Sequence, residues 1–436
     1  MIQLETLRWI TGIGLDGTSA MDCLHSLHAR TQRSVTTLTC LSTLVPLIGL
    51  LASPAFAQSS DGESRQAIVE QAQAVKSTSL TPYVPTTFER VTTRIQNTLA
   101  NGVTKWHAFF QNAYTGGGFA PGVGYAQYVS AYSKVDIRGS WSIRNYKLAE
   151  AEFTSPRLFH RRGELSVIGG WRDATQVGFY GLGINTSTAN RTDFAFEQPF
   201  GGARLKLRPT RRMLTLVGGA DVARWSFKEP SGTAPAVDSV YTPETLPGVG
   251  FRTTMIHAQG SVGFDWRPAA GYARRGGIYG VTAHDYTDND ARFGFRRVDY
   301  EVTQHVPILR ESWVLSGRAL ASTTWDKQGQ QIPFYLLPSL GGGSNLRGYS
   351  SFRFRDRNSL LLQAEWRIMV NRFFDTAVFY DTGQVAAHAS DLDFSGMKHD
   401  YGFGARIHTP FATVLRIDVA RSPEGTTLVF ATSPVF

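Results

Sequence analysis

Thiols are nearly missing from this 436-residue chain: its two cysteines, Cys23 and Cys40, both lie in the first 57 residues. Beyond residue 57 there is therefore no disulfide, no cysteine nucleophile and no thiolate-ligated metal. Long hydrophobic runs are missing too. Apart from an interrupted run at 35–51, nothing approaches the ~18 consecutive apolar residues of a transmembrane helix. That excludes helical spans and leaves a soluble protein or a membrane barrel built from strands. Charge is sparse, with 18% Asp, Glu, Lys and Arg against the ~25% of ordinary soluble chains. Catalytic signatures are absent as well: there is no G-x-S-x-G, no H-E-x-x-H and no P-loop spacing. The eight histidines after residue 57 are scattered. His284-Asp285 with Asp288 and Asp290 lacks the glycine and glutamate of an EF-hand and reads as a polar loop. No enzyme, cofactor or metal is expected from this pattern.

What is present is glycine (43 residues), aromatics (12%) and a formal charge of +9. The basic residues are spread over alternating positions, which suits a wet lumen or a lipopolysaccharide-facing surface rather than nucleic acid. Residues 29–57 have the layout of a secretory signal. Arg30 and Arg33 precede the apolar run, and Ala55-Phe56-Ala57 is a small-x-small cleavage site. The competing reading, a membrane anchor, is disfavoured by Pro46 and Gly49 within the run. Residues 1–20 are unusual upstream of a signal, and Met21 is a candidate start. Residues 1–57 thus form a signal sequence with an over-long start, and 58–115 a periplasmic segment of different texture. In the latter, Thr86-Thr87-Phe88-Glu89 has capping-box spacing. Phe88, Val91, Ile95 and Leu99 then recur at helical intervals until Asn101-Gly102, and Val103, Trp106 and Phe110 make a second short run. This segment reads as an amphipathic helix at a barrel rim or, alternatively, a plug helix.

From residue 116 to 436 the dominant period is two. Val135, Ile137, Trp141 and Ile143 oppose Lys134, Asp136, Arg138 and Ser140; Ile256, Ala258, Val262 and Phe264 oppose His257, Gln259, Ser261 and Asp265. Such charges are costly against lipid and tolerated on a wet lumen wall. Strands are expected near 117–127, 131–143, 146–156, 163–172, 191–207, 213–227, 253–267, 276–287, 293–308, 312–325, 331–338, 358–369, 375–386, 400–409, 413–421 and 426–436. Sixteen is even, as single-chain bacterial barrels require. The fold class is therefore all-β, a 16-stranded antiparallel transmembrane barrel with a short N-terminal helical segment. Tight turns at 144–145 and 410–412 are expected at the periplasmic end, with 228–252 and 339–357 as long connections. A soluble sandwich or propeller is the alternative, but no propeller-length repeat is seen.

One stretch carries a more specific pattern. Leu346-Arg347-Gly348-Tyr349 sits in a glycine-rich loop; Glu365 faces inward on the following strand; Phe379-x-Asp381-x-Gly383 marks the next. Gly402-x-Gly404, Thr409-Pro410-Phe411 and a terminal Phe436 come after it in order. This set resembles the outer-membrane assembly superfamily of the BamA/TamA type, also called the bacterial surface antigen domain. The resemblance spans most of 116–436 and is strongest after 336. It implies a loop folded back into the lumen, with Arg347, Gly348 and Tyr349 latched on Glu365, Phe379, Asp381 and Gly383. Alternation makes both acids face the lumen, where one guanidinium can bridge them. Gly348 is expected to turn the backbone beside the wall and Tyr349 to pack on Phe379 or a glycine. Gly402, Gly404 and Arg406 line the lumen wall, and Phe436 is the implied insertion signal. Phe179-Tyr180-Gly181-Leu182-Gly183 is also similar to barrel-only relatives.

POTRA modules, the periplasmic β-α-α-β-β units of the assembly proteins, do not fit into residues 58–115. The resemblance implies a place in the outer membrane of a Gram-negative cell, reached through a cleaved signal. Its partners would be lipid, lipopolysaccharide and the barrel-insertion machinery, with clients unspecified. The expected role is outer-membrane biogenesis or substrate translocation. A passive pore or surface antigen without clients is the alternative, and a membrane-embedded hydrolase a third reading.

Overall fold

The computed structural model describes residues 105–436, apart from 211, 212 and 310. The expected signal sequence, linker and helix before residue 102 lie outside the described residues. Sixteen antiparallel strands form one sheet in which each strand pairs with its neighbours in sequence. They are β1 Trp106–Phe110, β2 Pro121–Tyr128, β3 Lys134–Trp141, β4 Lys147–Arg157, β5 Gly163–Phe179, β6 Thr192–Leu207, β7 Leu214–Lys228 and β8 Thr253–Asp265. The wall continues with β9 Gly276–Asp288, β10 Gly294–Ile308, β11 Trp313–Asp326, β14 Asn358–Asn371, β15 Phe374–Ala386, β16 Lys398–His408, β17 Thr413–Ser422 and β18 Gly425–Ala431. A two-stranded ribbon, β12 Ser339–Leu340 with β13 Phe354–Arg355, lies within the connection from β11 to β14. β1 and β18 are the two ends of the sheet.

The alternating pattern is realised as two chemically distinct surfaces. Ile137, Trp141, Ile256, Phe264, Val378, Tyr380, Tyr401 and Phe403 are exposed on the outside, while Asp136, His257, Asp381, Asp400 and Arg406 are buried inside. An apolar exterior over a charged interior is the signature of a transmembrane barrel. The connections sort by end. One end carries 111–120, 142–146, 180–191, 229–252, 289–293, 327–357, 387–397 and 423–424. The other carries mostly tight turns, including 309–312, 372–373 and 409–412.

The count of sixteen agrees with the sequence reading, but two members differ. Trp106–Phe110, assigned to the helical segment, is β1 and alternates exposed with half-buried residues. Trp106 and Phe110 are four apart, a spacing that fits one helix face and one strand face equally. Inside the barrel, His107 bonds Asp136 on β3 at 3.0 Å, across Gly124 of β2, where a side chain would collide with the imidazole. Conversely, 331–338 is not a wall strand: it holds a 3₁₀ turn at Phe334–Leu336 whose side chains are buried. The missed strand also shifts the parity of the turns between β1 and residue 331. Turn 142–146 therefore lies at the long-loop end, opposite 409–412, and not beside it. The last strand stops at Ala431 rather than 436. Pro434 has no N–H for a ladder, and Phe436 turns inward to stack on His305 at 5.9 Å between ring centroids.

At the long-loop end an aromatic core fills the barrel mouth. Phe334 and Tyr335 of the 327–357 connection enter a group formed by Phe179, Phe194, Phe196 and Trp225, joined by Tyr114 and Phe352. Ring centroids sit 4.5 Å apart for Trp225–Tyr335 and 5.0 Å for Phe194–Phe334. This is why an apolar run that mimics a buried strand is found in a loop: its side chains line a dry plug.

Candidate functional site

The 327–357 connection continues downward from that plug into the lumen. Gly341 and Gly342, at φ +107° and +108°, reverse the chain. The Gly342 N–H then donates to the carbonyls of Leu346 (3.2 Å) and Tyr349 (3.1 Å), closing a compact tip. Leu340, Leu346, Tyr349 and Phe354 pack on Leu361 and Val385 of the wall. Leu361, on the inner face of β14, is thus a seat for the loop.

Arg347 projects from the tip and is completely buried. Its Nε and Nη2 donate to the two oxygens of Asp381 on β15 at 2.6 and 2.8 Å. Nη1 donates to Glu365 on β14 at 3.0 Å and to Asp418 on β17 at 3.5 Å. The guanidinium lies flat over the Phe379 ring, 3.4 Å from its centroid. Bidentate pairing and ring stacking both need a planar fork and are closed to lysine. Arg406 on β16 completes the cluster by donating to Asp418 (2.6 Å) and Glu365 (2.8 Å). Glu365 and Asp418 are thereby each approached by a second cation, the condition under which buried carboxylates are tolerated. Gln363 ties wall to tip, donating to the Asn345 carbonyl (2.8 Å) and to Asp381 (3.2 Å).

The structure brings together Arg347, Glu365, Phe379, Asp381 and Arg406. It places the remaining residues somewhat differently from expectation. Gly348 does not turn the chain, a task that falls to Gly341 and Gly342. It permits close approach instead: a methyl group there would sit 2.6 Å from Asp400 Cβ and 3.0 Å from Ser422 Cβ. Its carbonyl accepts from Ser422 (2.8 Å) and Thr427 (3.1 Å). Tyr349 packs edge-on against Phe354 at 5.2 Å, not against Phe379, whose face is taken by Arg347. Its hydroxyl donates to the His399 carbonyl, and burial pushes its pKa up to about 12. Gly383 leaves room for Leu340. Gly402 leaves room for Phe379, whose Cζ would lie 2.6 Å from a methyl group. Gly404 does the same for Asp418 and Arg406. Phe436 stands apart from this site, in the lumen beside β10. His284 and Asp285 fall within β9 rather than in a loop.

Two features escaped the sequence reading. Asp418 alternates with Ile417 and Val419 and so faces inward, but nothing in one sequence says that β17 lies within reach of a loop tip. The second is Arg353, which anchors the outer part of the loop. It donates to Glu424 at 2.9 Å, to the Thr186 hydroxyl at 2.6 Å and to the Thr186 carbonyl at 2.5 Å. It also stacks over Tyr180 and Phe354. The motif Phe179–Gly183 is the receiving surface: the Gly183 N–H donates to the Arg355 carbonyl at 2.9 Å. Arg355 itself is buried among Phe334, Phe352 and Tyr114, and burial lowers its pKa to about 10.

A sixteen-stranded wall, apolar outside and charged inside, with a loop folded into it defines a class, the transmembrane β-barrels. Residues 268–427 match the Omp85 superfamily domain. The barrel is similar in fold to BamA from Haemophilus ducreyi lacking POTRA domains 1–3, with a TM-score of 0.54 at 13% identity, over 74% of this chain and 68% of that one. CdiB from Acinetobacter baumannii is also matched, with a TM-score of 0.47 at 10% identity, over 76% of this chain and 57% of that one. No curated protein matches.

Proposed function

We propose that this barrel serves outer-membrane biogenesis or substrate translocation, with the 327–357 loop as a movable inner element latched by Arg347. The observation that carries this reading is the burial of one loop guanidinium against acids of three different strands, Glu365, Asp381 and Asp418. A static wall has no need of a cation delivered from a loop tip. An ion-pair pin, by contrast, is strong while desolvated and weakens once water enters. That suits an element which stays in place at rest and leaves when a client displaces it. The long-loop end faces outward and the tight turns face the periplasm, the usual disposition of bacterial barrels. The role is transport or assembly, not catalysis.

In planar bilayers, Arg347→Ala is expected to insert as a folded barrel and to spend more time in conducting states, or to lose function in cells. Unchanged conductance together with unchanged function would overturn the latch. A steady open pore in the parent protein, with the loop still in place, would favour the passive-pore reading.

A further inference from the structure

The connection between β8 and β9 does not stay with its own hairpin. Residues 266–275 leave the wall at the tight-turn end and reach β14 to β17. From β9 to β16 the wall advances five strand spacings of ~4.8 Å, about 24 Å. Gly271 bridges Ala412 in a parallel contact, and its carbonyl accepts from the Thr413 N–H at 2.8 Å and hydroxyl at 3.1 Å. Tyr272 stacks on His408 with ring centroids 3.8 Å apart and planes 10° off parallel. Its hydroxyl donates to Asp375, which also bonds His408 at 3.0 Å. Arg367 donates to the Ala273 carbonyl, and Arg274 donates to the Met369 sulfur at 2.9 Å. Tyr272 and Ala273 are both buried, an unusual state for the tip of a turn. Gly271 is needed for the approach, because a methyl group there would lie 2.7 Å from the Phe411 carbonyl.

We propose that residues 266–275 are a strap that gates the tight-turn mouth of the lumen, with Tyr272 as its bolt against Asp375 and His408. Between strap and loop lies a chamber of about 220 Å³, lined by Arg204, Gln259, Ser261, Asp299 and Arg318 of the wall and by Asn345 of the loop tip. The lining takes in Pro338, Leu340 and Asn345 of the loop and Arg267 of the strap, and in this proposal passage needs both to move. Hydrogen bonds to the Gly271 and Ala273 carbonyls, the Tyr272 hydroxyl and ring stack, and the Arg274 contact hold the strap. It is the more weakly held of the two closures, since the loop tip is fixed by a multivalent buried ion-pair cluster.

The test is accessibility of the chamber. In the full chain with Cys23 and Cys40 replaced by serine, Ser261→Cys puts one thiol on the chamber wall. The protein is held in detergent micelles, where both mouths meet solvent, and exposed to a bulky maleimide. Labelling is expected to be slow in this parent. Tyr272→Ala should speed it more than tenfold, since it loses the stack as well as a buried hydrogen bond to a carboxylate, which alone is worth about tenfold. Tyr272→Phe keeps the stack and loses only the hydroxyl, so it should give a smaller rise in a barrel with undisturbed packing. Parent-rate labelling in both Tyr272 variants, or fast labelling of the parent, would overturn the strap. Arg347→Ala is assayed beside them and reports the other mouth: a rise there with none in the Tyr272 variants removes the strap and leaves the latch standing.

Discussion

At the scale of single residues, Arg347 is where sequence and structure meet most closely. Removing its side chain leaves Glu365, Asp381 and Asp418 buried, with Arg406 still bonded to Glu365 and Asp418, and Arg367 and Arg416 at 3.9 and 3.6 Å from the same two acids. Breaking one side of a buried ion-pair cluster costs about 3–5 kcal/mol. Arg347→Ala should therefore lower the unfolding midpoint in denaturant, read by loss of the compact form on unheated gels. Arg347→Lys should recover only part, since an ammonium is neither bidentate toward Asp381 nor flat on Phe379. Equal stability of the lysine variant and the parent would show that charge alone matters. The resemblance implied this pin beforehand, and alternation supplied an inward acid on each of two adjacent strands for its cation to meet. Asp418 and Arg353 were not readable, because their partners come from strands or loops far away in the chain. Likewise, an RGY motif does not say whether arginine or tyrosine covers Phe379.

At the scale of elements, β16 shows how small residues shape a wall to receive a loop. Gly402 leaves space for the Phe379 ring, and Gly404 for the Asp418 carboxylate. A side chain at 402 would collide with the Val419 carbonyl and push Phe379 from beneath Arg347. Gly402→Ala is expected to destabilise by about 1–3 kcal/mol, the range for overpacking a tight site. The part of its loss that acts through Phe379 should be absent when Arg347 is already alanine, while the part from the Val419 carbonyl persists, as a double-mutant cycle would reveal. Independent, additive effects would mean that glycine serves the strand alone. The elements misread from sequence have local causes. β1 is only five residues, too short to separate period two from period 3.6. Ile332 to Leu337 is an apolar run without alternation, which looks the same in a buried strand and in a plug. Both errors concern which side chains are dry, and dryness is settled by tertiary contacts.

At the scale of the whole molecule, the barrel is a wall whose lumen is occupied by its own chain. An aromatic plug seals the long-loop end, the Arg347 tip sits below it, and a short strap crosses the far end. The exterior asks only for lipid, whereas the interior holds buried charges, with Arg347 and Arg406 paired to Glu365, Asp381 and Asp418 while the loop is seated. The central claim is that the 327–357 loop lies inside the wall. Gly343 of the tip faces Val429 of β18, with 3.8 Å between a Cβ at 343 and Val429 Cβ. That is the usual Cβ separation of a disulfide, about 3.8 Å, and Gly343 does not occupy the left-handed region. The decisive measurement is oxidation of Gly343→Cys/Val429→Cys in intact outer membranes, with Cys23 and Cys40 replaced by serine, scored by gel shift after maleimide labelling. Nearly complete cross-linking, slowed when Arg347→Ala is added, is the expected result. Two free, labelled thiols in a folded barrel would place the loop outside the lumen and contradict the assignment.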